Sequence, residues 1–196
     1  RLVHTGQHYD EGMSGVFFRD LGIGEPEVSL GVGSGSHGQQ TARILAAYEE
    51  HLVRSSPRPA AVVVVGDVNS TMACTLAAVK LGIPVAHVEA GLRSGKLDSP
   101  FPEEFNRRGV AVAASLHFAP TARARENLLR EGVDPAAVFV VGITVVDAVA
   151  RILRDRPRPQ SESGCATVLV TLHRRESFGA PLERMLGAIR RLALER

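Results

Sequence analysis

AVVVVGDVNSTMACTLAAVKLGIPVAHVE, residues 61–89, holds two β-branched runs separated by a helical pattern. The first run, AVVVVG (61–66), is apolar at every side chain, and the second, IPVAHVE (83–89), is nearly so. A half-exposed strand alternates apolar and polar residues, whereas a continuous valine run suits a strand covered by helices on both faces of its sheet. Between them, NSTMACTLAAVKLG (69–82) has helical length and ends at glycine, a helix stop. Strand, helix and strand in this order predict a parallel βαβ unit.

The same alternation extends in both directions. Arg1 to Thr5, VFVVG (138–142) and ATVLVTLH (166–173) read as strands. HGQQTARILAAYEEHLVR (37–54), TARARENLLREG (121–132) and TVVDAVARILRD (144–155) read as helices. The fold class expected is α/β with parallel, Rossmann-like sheets. RPRPQSESGC (156–165) concentrates Pro, Ser, Gly and charge, the composition of a linker. The organisation expected is a Rossmann-like domain over 1–145, a bridging helix and linker over 146–165, and the start of a second such domain over 166–196. The chain opens without Met inside a strand and stops in AIRRLALER without a helix stop, which reads as a piece of a longer protein.

Composition narrows the functional classes. The 196 residues are 44% hydrophobic, enough for a core, and 23 basic against 21 acidic residues give a net charge of +2. No overall field favours nucleic acid or an anionic membrane. Cys74 and Cys165 form no CxxC pair, which favours a reducing compartment. No run reaches the roughly 18 apolar residues of a membrane span, and no signal peptide opens the chain. A cytoplasmic location is expected.

In parallel sheets ligands bind beyond the carboxyl ends of the strands. Asp67 follows VVVVG, Glu89 follows VAHV, and His173 follows VLVTL. Asp67 alone is equally well read as a helix cap. Glu89 continues a buried strand, where neither a helix start nor a hairpin accounts for an acid. Two carboxylates converging on one crevice can separate into an acid and a base. In SPFPEEFNRR, Pro102 suits a helix start and Glu103 and Glu104 favour its positive end, which for Glu104 is a sufficient reading. HRRES (173–177) sets an imidazole and two guanidiniums past a strand end, suited to a phosphate or equally to a solvated charge cluster.

Other patterns are set aside. GSGSHG (33–38) matches a dinucleotide loop, but the ribose-binding acid that should follow about 20 residues later is missing. GLRSGKL (91–97) is one residue short of a phosphate loop. His51 and His117 read as surface or packing residues, and no histidine spacing suggests a metal.

Together TGQHYD, GDVNSTMACTLAAVKLGIPVAHVEAGLRSG, SPFPEEFNR and TLHRRESFG closely resemble the non-hydrolysing UDP-N-acetylglucosamine 2-epimerases, from Val3 nearly to the end. The resemblance implies a GT-B-like two-domain architecture, present here as a fragment, with the active site between domains. It implies interconversion of UDP-GlcNAc and UDP-ManNAc, by elimination of UDP to 2-acetamidoglucal and re-addition with C2 inverted, for cell-surface polysaccharide biosynthesis. It implies no NAD, no metal and a homodimer. The family's essential acids fall on Asp67, Glu89 and Glu103 and its essential histidine on His173, with Arg174 beside it for the diphosphate.

Gln7 and His8 match part of an allosteric UDP-GlcNAc site found in some members, whose Arg-Gln pair is absent around Ser34 and Gly35. Ile143 and Leu172 also depart from the family pattern. The family's first strand and uridine-binding remainder are missing, so this piece is expected to lack activity. Two competing readings are a hydrolysing relative that releases ManNAc and UDP, and a sugar-nucleotide-binding module without catalysis.

Overall fold

The structure, a computed structural model, describes residues 1–6, 15–155, 168–172 and 178–194. In chain order the elements are β1 (Val3–His4), α1 (Gly15–Asp20), β2 (Val28–Ser29), α2 (His37–Arg54), β3 (Val62–Val65), α3 (Asn69–Lys80) and β4 (Val85–Val88). Then follow α4 (Glu103–Ala113), β5 (Leu116–Ala119), α5 (Ala122–Arg130), β6 (Val138–Val140), α6 (Thr144–Asp155) and α7 (Ala180–Leu194). The chain divides into two compact units, Arg1–Pro157 and Arg158–Arg196. In the second, α7 buries none of its side chains. No helix among the described residues is long and apolar enough to cross a membrane.

Among the described residues the named strands pair in parallel, as the valine runs predict. β3, β4, β5 and β6 form one sheet in that order, and β1 pairs with β2 in another. Helix α2 starts with a capping box between Ser36 and Gln39, and buries Gln40, Ile44, Tyr48 and Leu52, one per turn along one stripe. Helix α3 presents the small residues Ala73, Cys74, Ala77 and Ala78 to the core, letting α2, α4 and β3 approach it closely. It ends where Gly82 adopts φ 69°, the left-handed geometry of a helix stop.

The expectation that helices cover both faces of the sheet is corrected. Val62, Val64 and Val85 are buried against α2, α3 and α4, but Val63 is 65% and Val65 54% exposed. On the same open face by register lie Leu116 and Phe139, also exposed. The cause is topological: four consecutive parallel strands laid down in one direction, with right-handed crossovers, put every connecting helix on the same side.

The expected strand over 166–173 is also corrected where it is described, since residues 168–172 belong to no strand. Val168 and Leu169 are 79% and 90% exposed, and a strand needs a neighbour to satisfy its backbone groups. A cavity of about 810 Å³ separates the two sheets, lined by Val3 and His4 of β1, Val62 to Val65 of β3, and Tyr48, Leu52 and Cys74 beneath. It is an apolar slot between two strand edges and does not include Asp67 or Glu89.

Candidate active site

Strands β3 and β4 run side by side with Val65 opposite Val88, and the Gly66 amide extends the ladder by donating to the Val88 carbonyl at 3.0 Å. Asp67 and Glu89 therefore leave the carboxyl ends of adjacent parallel strands, where ligands bind in this class of sheet. Gly66 has φ 73°, and a Cβ placed on it would lie 3.8 Å from Glu89 Oε2. The Glu89 carboxylate thus sits over the residue that precedes Asp67.

Glu89 itself has φ 65°, the one positive value at a non-glycine position among the described residues. For an L-residue with a Cβ this geometry costs about 1–2 kcal/mol. Such strain persists where the surrounding structure imposes it, as in functional sites. The next loop is pinned from α5. A Cβ on Gly91 would meet the Ala124 carbonyl oxygen at 2.2 Å, Asn127 Nδ2 donates to the Gly91 carbonyl at 2.9 Å, and Arg93 pairs with Glu131 at 2.6 and 2.8 Å.

Helix α4 reaches the Asp67 strand end. Arg107 places Nη2 2.6 Å and Nε 2.8 Å from Asp67 Oδ2, and Asn106 Nδ2 donates to the Asp67 carbonyl at 2.8 Å. Glu103 lies three and four residues before them, on the same helical face. Its Oε2 is buried and has no hydrogen-bond partner among the described residues. The backbone turn before α3 is held by a polar chain: Asn69 Nδ2 donates to Gln40 Oε1 at 2.9 Å and contacts His37 Nδ1 at 3.1 Å.

Complementing the positive end of its helix is not all that Glu104 does. Its side chain is fully buried, accepts the Ser94 amide at 2.9 Å, and pairs with Arg107 at 3.4 Å and Arg108 at 3.3 Å. Burial pushes its carboxyl up, but the Ser94 amide, Arg108, Arg107 and the Gly95 amide outweigh it and hold it below its ordinary 4.5. Two acids adjacent on a helix point about 100° apart, so one faces the crevice while the other faces the core.

His87 and His117 are buried side by side on β4 and β5. Burial lowers both imidazoles from their ordinary 6.5, with Arg93 adding to the effect in each. His87 Nε2 lies 2.8 Å from the Gly66 carbonyl oxygen. His173, Arg174, Gln7 and His8 lie outside the described residues. Arg107, Asn106 and His87 escaped the sequence reading. The first two were recoverable from helical spacing after Glu103, whereas nothing in the sequence marks His87 apart from other core residues.

Two carboxylates at adjacent strand ends, with a third one turn before the α4 residues that hold one of them, are of the kind that can take a proton from a carbon and return one to it. Comparison with known proteins bears on what that carbon belongs to. The profile of the UDP-N-acetylglucosamine 2-epimerase family matches residues 1–196. The UDP-N-acetylglucosamine 2-epimerase of Methanocaldococcus jannaschii is 42% identical over 184 residues, 90% of this chain and 49% of that protein.

The UDP-2,3-diacetamido-2,3-dideoxy-D-glucuronate 2-epimerase of Pseudomonas aeruginosa is 40% identical over 185 residues, 92% of this chain and 51% of that protein. A crystal structure of the M. jannaschii UDP-GlcNAc 2-epimerase with UDP-GlcNAc and UDP superposes at a TM-score of 0.73 and 47% identity, covering 78% of this chain and 41% of that one. The chain spans about half the length of the curated relatives it matches.

Proposed function

The chain belongs to the UDP-N-acetylglucosamine 2-epimerase family, and from that premise we propose that it carries the proton-transfer half of an enzyme that interconverts UDP-GlcNAc and UDP-ManNAc. The observation that carries the proposal is the exit of Asp67 and Glu89 from adjacent strand ends, with Glu103 on the helix whose Arg107 grips Asp67. A C2 proton with no adjacent carbonyl is too weakly acidic to leave alone. Its removal is helped when the C1–O bond to UDP breaks at the same centre pair, so that the C–H electrons form the C1–C2 double bond of 2-acetamidoglucal. Re-addition of UDP at C1, with a proton delivered to the opposite face of C2, gives the other epimer.

Inversion needs a carboxylate to accept and a carboxyl to return the proton, and Asp67, Glu89 and Glu103 are assigned that work together. His173 and Arg174 are assigned to the departing diphosphate, where cationic donors act most strongly. Gln7 and His8 are carried as residues of an allosteric nucleotide-sugar site. A homodimer, a cytoplasmic setting and no cofactor complete the reading.

The domain division proposed is 1–145, 146–165 and 166–196, with the first domain lacking a strand. The slot between the unpaired edges of β1 and β3 supports that lack.

A second substrate is favoured by one observation: identity to the diacetamido-glucuronate epimerase, 40%, nearly equals that to the UDP-GlcNAc epimerase, 42%. Both reactions invert C2 and differ in the groups on C3 and C5. The test is to express the chain at its relatives' full length and assay both nucleotide sugars by NMR. Formation of UDP-ManNAc supports the proposal. Release of free ManNAc and UDP supports the hydrolysing alternative, and binding without turnover supports a non-catalytic module.

A further inference from the structure

We propose that His87 is a positioning residue that fixes the strand end bearing Asp67 relative to the one bearing Glu89, an inference that rests on the epimerase reading of those acids. Its ring is fully buried on β4, two residues before Glu89, and its Nε2 lies 2.8 Å from the carbonyl oxygen of Gly66 at the end of β3. A carbonyl oxygen only accepts, so Nε2 carries the proton. Nδ1 is then a bare acceptor, and it is buried with no partner among the described residues.

The Gly66 carbonyl belongs to the same planar peptide unit as the Asp67 amide, so holding its oxygen sets the plane from which Asp67 departs. Gly66 is gripped a second time through its own amide, which donates to the Val88 carbonyl at 3.0 Å. Both grips come from the strand that carries Glu89. With φ 73°, Gly66 lacks the Cβ that would otherwise limit its backbone, and the turn needs outside hold to keep one geometry. An apolar core residue at position 87 would fill the same space without leaving a lone pair stranded, so the hydrogen bond is what the histidine adds. His117 stands beside it in register on β5, buried and also with Nδ1 unpartnered among the described residues.

The test compares His87→Phe, which keeps ring volume but loses the donor, with His87→Gln, which keeps a terminal N–H. In the protein at its relatives' full length, His87→Phe should lower kcat by ~10-fold or more, up to the ~10² expected of misplaced catalytic groups, with KM little changed. His87→Gln should recover most of the loss. In the ¹⁵N-labelled 196-residue chain, the ring should show the Nε2–H form, and the Gly66 and Asp67 amide resonances should move in His87→Phe and return toward wild type in His87→Gln.

Wild-type kcat in folded His87→Phe would overturn the proposal, as would equal losses in both folded variants, which would mark a packing role alone. Should His87→Phe not fold, the ring spectrum of the wild type decides, an Nδ1–H form overturning the proposal. An inactive wild-type enzyme would count against the epimerase reading, and the ring and amide spectra would still decide the role of His87.

Discussion

Arg107 grips Asp67 at Oδ2, with Nη2 at 2.6 Å and Nε at 2.8 Å from that oxygen. Both guanidinium contacts converge on that oxygen and anchor Asp67 at Oδ2. Lysine offers one point charge in place of the two fixed donors. Arg107→Lys should therefore retain the fold but reduce turnover by roughly 10-fold or more through loss of orientation. Steady-state kinetics would check this, and unchanged kcat would mean that the pair serves stability alone.

Neighbouring acids on α4 should give opposite phenotypes. Glu103→Gln removes the ionisable proton of a group whose Oε2 has no hydrogen-bond partner among the described residues, so little stability should be lost while turnover falls roughly 10². Glu104→Gln strips charge from a fully buried carboxylate that faces two guanidiniums. Breaking a buried pair costs about 3–5 kcal/mol, and the lower end applies because Arg108 is 42% exposed. Urea denaturation separates the two variants, and equal midpoints would contradict the assignment.

The strain at Glu89 is measurable on its own. At φ 65° alanine keeps the Cβ clash and glycine removes it. Both variants lose the carboxylate, so Glu89→Gly should be more stable than Glu89→Ala by about 1 kcal/mol. An alanine variant as stable as the glycine variant would show that the backbone is not strained there.

Acid should weaken the fold through His87 and His117. Burial lowers both below their ordinary 6.5 in the folded chain. Below that pH the unfolded chain binds protons that the folded chain excludes, so stability rises with pH, is full above about 6.5, and is lost as pH falls toward the folded values. Urea midpoints should drop between about pH 7.5 and about pH 5.5, and less steeply in His117→Phe. A midpoint flat across that window would contradict the buried neutral state.

Strands β3, β4 and β6 were legible because valine runs mark strands regardless of their neighbours, and α3 and α5 because Gly82 and Gly132 end them. Strand β5, Leu116–Ala119, was not: LHFA carries a histidine and no valine run, and its pairing with β4 is what makes it a strand. The strand-end positions of Asp67 and Glu89 could be read from where the apolar runs stop. The role of Glu104 could not, because which of two adjacent helical acids turns inward depends on what packs against the helix. The open sheet face was hidden for a similar reason, since residue pattern reports what a strand tolerates and strand order decides which face is covered.

Proton exchange at C2 tests the central claim most directly. The protein at its relatives' full length is incubated with UDP-GlcNAc in deuterated water, and the sugar is followed by NMR. Elimination and re-addition through Asp67, Glu89 and Glu103 predict deuterium at C2 of the UDP-ManNAc formed, with exchange and epimerisation both falling roughly 10² in Glu103→Gln. Epimerisation that leaves the original hydrogen at C2, with no solvent deuterium entering, would contradict it.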